Sequence, residues 1–212
     1  MTPADIIAEV RKLVQDTRTP YRYSDDYILG HTNQVLRRMS LVQPDLFAEV
    51  DDITVASATT TQTLPVDAIR FVDIHAVNGR AVVEVSRDMM DRAYPTWRSA
   101  TAAQPVNYMR HMRNPTQFFL YPPPEVGSTI TVEYAKAPST YGISDTITAP
   151  EDVYSPVIID GVTAMVLAAD DEYATSGQAD NYLKNFFEAL KVSMEARELS
   201  DSASALSRME AV

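Results

Sequence analysis

The sequence predicts an α+β fold: a four-helix bundle formed by the N- and C-terminal helix pairs, with an inserted antiparallel β sandwich or barrel-like module. Apolar residues recur at helical spacing near both ends of the chain and alternate with polar residues in the middle, where an Asn-Gly pair divides two alternating runs. The predicted domains are 1–50 with 145–198 for the helices and 51–144 for the β module. Residues 199–212 are expected to form a flexible C-terminal tail.

The N-terminal helix pair is predicted from residues that favour helix starts. Thr2 can cap a helix over 3–16, with Pro3 at the first helical position and Asp5 placed to close a capping box. Ser24 can cap a second helix, which begins with two aspartates. Both helices carry an apolar stripe, so each needs a partner that covers it.

Residues 51–144 alternate between apolar and polar residues and predict about six short strands. Asn78 and Gly79 tolerate the positive φ of a tight turn between two of them. A short helix capped by Ser86 is expected after the second of these strands, and a further loop holds Trp97, which covers the core or anchors an interface.

The aromatic run at 117–121 ends in Pro122, Pro123 and Pro124 before alternation resumes. Three readings compete for these prolines: a proline-rich ligand, a rigid linker and a hairpin turn. No basic residue flanks them to orient a ligand, and both neighbouring runs belong to one β module. We therefore predict a hairpin, because proline ends a strand by donating no hydrogen bond and Gly127 allows the reversal.

The charge of the chain lies mostly in its last third. The 212 residues have a net charge of -11, and residues 145–212 contribute -9 of it through 4 Lys and Arg against 13 Asp and Glu. Affinity for nucleic acid depends on basic side chains that neutralise phosphates, so this third is not expected to bind DNA. Two basic clusters, Arg37 with Arg38 and the run 109–113, could instead contact a phosphate backbone or an acidic protein patch.

The sequence contains no strong catalytic, metal-binding or cofactor-binding motif. There are no cysteines, no phosphate-binding glycine loop and none of the common hydrolase signatures, and no secretion signal or membrane span is expected. His31, His75 and His111 lack a second ligand at metal-binding spacing. Asp170, Asp171 and Glu172 are read as a solvated helix end, with a cation site or catalytic pair as the alternative. The sequence thus predicts no catalytic residue, metal or cofactor.

Several segments in order resemble one family. They are "IIAEVRKLVQD", "YSDDYILGHTNQVLRRM", "DAIRFVDIHAVNGRAV", "RDMMDRAYPTW", "NPTQFFLYPPP", "VEYAKAP" and "APEDVYSPVIIDGVTAMVLAADDEYA". They are similar to the head-to-tail adaptor, or connector, proteins of short-tailed phages, and the resemblance as a whole spans roughly residues 4–195. Relatives in that family are called tail tubular protein A.

The resemblance implies a structural virion protein without catalysis. Such proteins form a ring, usually of twelve copies, at the portal vertex, after assembly in the host cytoplasm. The implied partners are the portal protein, the tail nozzle or tube protein and neighbouring adaptor subunits. Double-stranded DNA would pass through the ring's channel during ejection without specific binding, and no membrane is involved.

Contact residues are predicted on the same basis. Leu206, Met209 and Val212 are candidates for portal contact, because several relatives dock a C-terminal segment there. Trp97 and the three prolines at 122–124 are candidates for contact with the tail or a neighbouring subunit. Acidic side chains of 145–212 that line the channel would repel the duplex and let it slide.

Two other function classes remain open from the sequence alone. A small acidic metal-dependent hydrolase would use Asp170, Asp171 or Glu172. A peptide-binding module would use the β insertion.

Overall fold

The computed structural model describes residues 1–169 and 177–210, and for residues 196–210 it describes the backbone alone. Contacts between Cα atoms divide the chain into two compact units. One consists of residues 1–43 and 138–212, and the other consists of residues 44–137. The first unit is helical and the second contains both sheets.

The helical unit contains four α-helices: α1 (Pro3–Leu13), α2 (Asp25–Val42), α4 (Ser155–Ala168) and α5 (Gln178–Glu210). Thr2 caps α1 through the predicted capping box with Asp5, and the Ser24 hydroxyl accepts a hydrogen bond from the N–H of Tyr27 at the start of α2. A short 3-10 helix (Asp152–Tyr154) precedes α4. The predicted starts of α1 and α2 are confirmed.

Helix α4 lies at the centre of the helical unit, where α1, α2 and α5 each pack against it. Its buried residues occupy most of its circumference: Ile158, Gly161, Val162, Thr163, Ala164 and Val166. At Gly161 the neighbours approach closely, because a Cβ atom there would lie 2.9 Å from Phe186 Cδ2 and 3.0 Å from Val35 Cγ1. Phe186 of α5 and Val35 of α2 are therefore packed directly against the backbone of α4.

A buried ion pair fixes the connection between α1 and α2. The guanidinium of Arg11 donates to Asp16 Oδ2 at 2.7 Å, to the carbonyl of Tyr23 at 2.8 Å and to Asp25 Oδ1 at 2.5 Å. Asp16 in turn accepts the N–H of Arg22 at 2.8 Å and that of Tyr23 at 3.0 Å. The side chains of Arg11 and Asp16 are only 8% and 7% exposed, so each of these buried charges requires the other as its counter-charge.

The β unit contains seven strands and one helix, α3 (Arg87–Ala93). The strands are β1 (Ala48–Thr54), β2 (Thr61–Thr63), β3 (Ala68–Val77), β4 (Val83–Glu84), β5 (Asn107–Arg110), β6 (Gln117–Tyr121) and β7 (Thr129–Lys136). One sheet has the order β1-β7-β3 and the other has the order β2-β6-β5-β4. All pairs are antiparallel except β4 with β5, which is parallel, so the prediction of a wholly antiparallel module is wrong.

The two sheets share one apolar core. Phe71, Ile74 and Val132 from the three-stranded sheet belong to the same buried cluster as Tyr108 and Phe118 from the four-stranded sheet. A second, smaller cluster of Met90, Trp97, Met109 and Phe119 lies on the other face of the four-stranded sheet. The four-stranded sheet is therefore buried on both faces, and α3 contributes to the second one.

The α+β class is confirmed, but the predicted four-helix bundle is wrong. The described residues form five α-helices with strands between them, and one of these helices, α3, belongs to the β unit. A bundle helix buries one stripe along its length, whereas α4 is buried around most of its circumference. The helices also differ too much in length to share one seam, since α1 has 11 residues and α5 has 33.

The turn at Asn78 and Gly79 has the predicted backbone, with φ values of 49° and 73°. Val77 and Arg80 exchange hydrogen bonds across it at 2.8 and 3.0 Å. The strand that follows, β4, nevertheless pairs with β5 in the other sheet. The turn therefore passes the chain from one sheet to the next.

The prediction that Pro122, Pro123 and Pro124 join a hairpin is also wrong. Strand β6 before them pairs with β2 and β5, whereas β7 after them pairs with β1 and β3. The prolines thus lie in a connection between two sheets. Proline still ends β6 because it donates no hydrogen bond to the ladder.

Helix α5 continues through residues 199–210, which belong to the segment 199–212 that was predicted as a flexible tail. Its Ser193 hydroxyl donates to the side chain of Gln43, which directly follows α2, at 2.9 Å. A helix rises 1.5 Å per residue, so the backbone of α5 is about 50 Å long.

We expect Arg11→Met to lower the free energy of unfolding by about 3 kcal/mol, because it leaves Asp16 buried without its charged partner. Arg18→Met, an exposed change in the same connection, should alter it by less than about 0.5 kcal/mol. Urea unfolding of the two variants measures the difference. Equal stabilities would show that the buried ion pair does not hold the connection.

The acid stability of the helical unit should depend on Asp16. Burial opposes ionisation of its carboxyl group, but the N–H groups of Arg22 and Tyr23 and the Arg11 guanidinium outweigh it and lower its pKa. A carboxyl with a lowered pKa stabilises the fold above its unfolded value, and this contribution is lost as the pH falls through the lowered pKa. The stability difference between wild type and Asp16→Asn should therefore shrink below about pH 4. A difference that stays constant from pH 6 to pH 2.5 would contradict this assignment.

Gly161→Ala should destabilise the protein by about 1–3 kcal/mol, because the new methyl group overlaps Phe186 and Val35. Gly30→Ala is the matched control in α2, since nothing lies within 4 Å of its Cβ position. It should stabilise by roughly 0.5–1 kcal/mol through helix propensity. Chemical unfolding should move the two variants in opposite directions, and a shared direction would refute the close packing at α4.

Candidate interaction surface

The residues considered for metal or acid-base chemistry form no such centre where they are described. Within residues 1–169 and 177–210, no group of three or more His, Asp or Glu residues is placed to hold a metal ion. Asp170, Asp171 and Glu172, on which the hydrolase hypothesis depends, lie outside the described residues.

Two histidines make contacts within their own unit. The ring of His31 on α2 meets the ring of Tyr27 edge-on, with 4.6 Å between centroids, and burial lowers its pKa. His75 Nε2 lies 3.2 Å from Glu133 Oε2 across the β3-β7 pair. Both arrangements fit structural roles, because each ring packs on or pairs with a neighbouring element.

The four candidates for tail or neighbour contact are mostly buried. Trp97 is 1% exposed, and its ring meets Phe119 edge-on with 5.5 Å between centroids. Pro123 and Pro124 are buried, and Pro122 is half-buried after a cis peptide bond. Pro122 is thus the member of this set with surface available in the isolated chain, and its contacts stay a prediction.

Trp97 is held by Asp91, a residue that sequence reasoning missed. The indole Nε1–H donates to Asp91 Oδ1 at 2.7 Å, and Arg98 forms an ion pair with the same carboxylate at 2.9 Å. The Trp97 hydrogen bond, followed by that of Arg98, lowers the pKa of Asp91. The contact spans six residues from the end of α3 into a 3-10 turn, which is not a helical spacing, so no periodic pattern could have indicated it.

An aromatic pair lies at the edge of this covered face. Tyr94 is 55% exposed and stacks on Tyr121, with 5.8 Å between ring centroids. Tyr121 is in register with Asn107 of β5, which is in register with the exposed Val83 of β4. Alternation along β6 is enough to predict that Tyr121 lies on the same face as Phe119. The contact between Tyr94 and Tyr121 could not be predicted, because it depends on the fold.

Four residues from two segments line a cavity of about 700 Å³: Arg87, His111, Met112 and Arg113. We call this the arginine pocket. Arg87 begins α3, and the other three follow β5. The basic run at 109–113 was recognised in the sequence, but Arg87 lies 24 residues before His111 and was not connected with it. The pairing of β4 with β5 explains the proximity, because α3 starts three residues after β4 ends.

The pocket is part of a basic stretch in an acidic chain. Residues 86–113 contain five arginines against two aspartates, whereas the whole chain carries a net charge of -11. A locally positive surface of this kind attracts carboxylates or phosphates.

The candidates for portal contact lie at the end of α5. Leu206 and Met209 fall within its helical backbone, and Val212 lies outside the described residues. Positions 199, 203, 206 and 209 repeat at spacings of four and three residues, which places them along one side of a helix. Their role stays a prediction.

A family model described as SU10 adaptor protein matches residues 1–209. A search of the curated proteins finds no match. In the part of the chain that the structure describes, no helix is both long and apolar enough to cross a membrane. The family match confirms the resemblance to phage head-to-tail adaptors, while the subclass of short-tailed phages stays a prediction. The chain, matched over almost its whole length, is a structural phage adaptor and belongs to the SU10 adaptor protein family.

Proposed function

We propose that this protein is a ring subunit that joins the portal to the tail and forms part of the channel for DNA. The observation that carries this proposal is the family match over residues 1–209. Ring formation requires each copy to present two different surfaces that fit its neighbours. A ring of twelve copies at the portal vertex is the form we expect.

The architecture of the chain supports a role in assembly. Each of its two units contains buried apolar side chains of its own, so each can present a surface of fixed shape. The side chains at the surface of the β unit include exposed apolar residues such as Tyr94 and Val83. Exposed apolar and aromatic side chains are enriched where proteins bind one another.

Helix α5 provides a candidate surface for the portal. The backbone continues 17 residues beyond Ser193, where the contact with Gln43 marks the end of α2. The apolar positions at 199, 203, 206 and 209 recur at helical spacing over this stretch. An amphipathic helix of this kind can lie in an apolar groove of a partner, which is how we propose that Leu206 and Met209 act.

The acidic last third suits a channel through which DNA slides. Residues 145–212 carry a net charge of -9, which repels phosphates and so opposes tight binding of a passing duplex. This part of the proposal requires that some of those acids face the channel. A ring structure with all of them on the outer rim would contradict it.

Portal binding is the direct test of the proposed function. Purified chain mixed with the portal protein of the same phage should give a complex whose native mass corresponds to a closed ring of copies on one portal. Leu206→Asp with Met209→Asp should weaken binding at least about tenfold, because burial of each side chain contributes about 1.5–3 kcal/mol.

Ser204→Asp with Arg208→Gln is the matched control, since it changes the net charge by the same two units away from the apolar positions of the helix. It should leave the affinity unchanged within about twofold. Absence of any complex between the wild-type chain and the portal would contradict the proposed function. Equal effects of both double variants would contradict only the assignment of the contact side.

A further inference from the structure

The arginine pocket contains a buried guanidinium N–H group that no acceptor among the described residues takes up. Arg87 Nε is buried and has no hydrogen-bond partner there. This Nε forms a long ion pair with Asp91 Oδ2 at 3.8 Å, which is too far for a hydrogen bond. Trp97 and Arg98 already donate to Asp91. The Nε–H group of Arg87 is therefore available to an acceptor that enters the pocket.

His111 presents a third donor of fixed orientation. Its Nδ1 accepts the N–H of Arg113 at 3.3 Å and that of Asn114 at 2.9 Å. Because Nδ1 is an acceptor in both contacts, the neutral ring carries its proton on Nε2. The ring also packs against Phe119, with 5.2 Å between centroids, which limits its rotation. The Nε2–H group is thus left as a donor beside the two arginines.

The remaining wall of the pocket is exposed and partly apolar. The Arg113 side chain forms no ion pair with a residue of the described ranges, and Met112 is 80% exposed. Two guanidinium groups with one imidazole N–H match the oxygens of a carboxylate. The neighbouring thioether offers a contact for an apolar side chain close to that carboxylate. The chemistry of the pocket therefore fits a short protein segment with an acidic and an apolar residue.

The same chain presents such a segment. Glu151 is exposed and forms no ion pair with a residue that the structure describes, and Val153, two positions later, is 73% exposed. The segment belongs to the acidic third of the chain, whose net charge is -9. Because the basic pocket and the acidic segment consist of different residues, a contact between them on two copies is head-to-tail, and such contacts can close into rings.

We propose that the arginine pocket of one copy binds Glu151 and Val153 of the next copy. The inference rests on the proposed function, since it names a contact between subunits of the ring. Duplex DNA is the less favourable occupant, because tight binding to phosphates requires many neutralising cations and this pocket has two arginines.

Charge reversal in the full-length chain tests the contact. Arg113→Glu and Glu151→Arg should each weaken association between copies at least about tenfold, as truncation of close interfacial charge pairs does. The double variant Arg113→Glu with Glu151→Arg restores opposite charges in every copy and should recover most of the loss. Arg80→Glu is the matched control, an exposed arginine in the same unit, and should associate like wild type.

Two readouts separate this inference from the proposed function. Sedimentation of each variant without portal, at 50 and 500 mM salt, measures contact between copies, and the wild-type association should weaken at the higher salt. Native mass of the portal complex measures how many copies each ring holds, and Arg113→Glu should leave rings incomplete. Circular dichroism checks that each variant is folded.

Association of Arg113→Glu at the wild-type level in both readouts would overturn the inference and leave the proposed function standing. A loss that Glu151→Arg does not repair would also overturn it, because Glu151 would not be the occupant. The inference would also be overturned if Arg113→Glu assembled normally but no longer bound a 20-base-pair DNA duplex, because the pocket would then be a binding site for DNA phosphates. A wild-type chain that self-associates as described but never binds portal would contradict the proposed function alone.

Discussion

The close approach of α2 and α5 to the backbone of α4 at Gly161 is the contact on which the helical unit depends. Phe186 and Val35 occupy the space that a side chain at this position would fill. Helix α4 can therefore be buried around most of its circumference and hold three other helices. Because α1 and α2 precede the β segment and α4 and α5 follow it, this contact also brings the two ends of the chain into one unit.

The Arg11 network adds a polar constraint to this apolar packing. It gathers the α1-α2 connection and the first turn of α2 around one guanidinium. In the β unit, Asp91 has a comparable role, since it holds Trp97 against the four-stranded sheet and pairs with Arg98. Because Asp91 accepts hydrogen bonds from Trp97 and Arg98, it reaches Arg87 only through a long ion pair, and Arg87 Nε keeps an unused donor in the arginine pocket. The proposed contact surface thus follows from packing that stabilises the unit.

Local patterns in the sequence predicted local structure well. The caps at Thr2, Ser24 and Ser86 and the turn at Asn78 and Gly79 depend on a few neighbouring residues, and the structure has all of them. The pairing of strands depends on distant residues, which is why the prolines after β6 were expected to join a hairpin and in fact connect two sheets. Likewise, the helical spacing near both ends of the chain predicted a four-helix bundle, because spacing alone does not reveal how many neighbours surround a helix such as α4.

The candidate site was predictable only in part. The run 109–113 was recognised as basic, but its partnership with Arg87 arises from the β4-β5 pair, which periodicity does not identify. The sequence left open whether Trp97 covers the core or anchors an interface. The structure places it in the core, where its indole N–H donates to Asp91. The adaptor assignment came from an ordered series of short segments and is supported by the family match over residues 1–209.

We propose that this protein functions by assembling into a ring rather than by catalysis. Cryo-electron microscopy of the neck region of intact virions would test it most directly. The account predicts a closed ring of copies of this chain between portal and tail, with the β unit of each copy in contact with the next copy. Virions in which density for the chain is absent from the neck, or present as isolated copies without mutual contact, would contradict it.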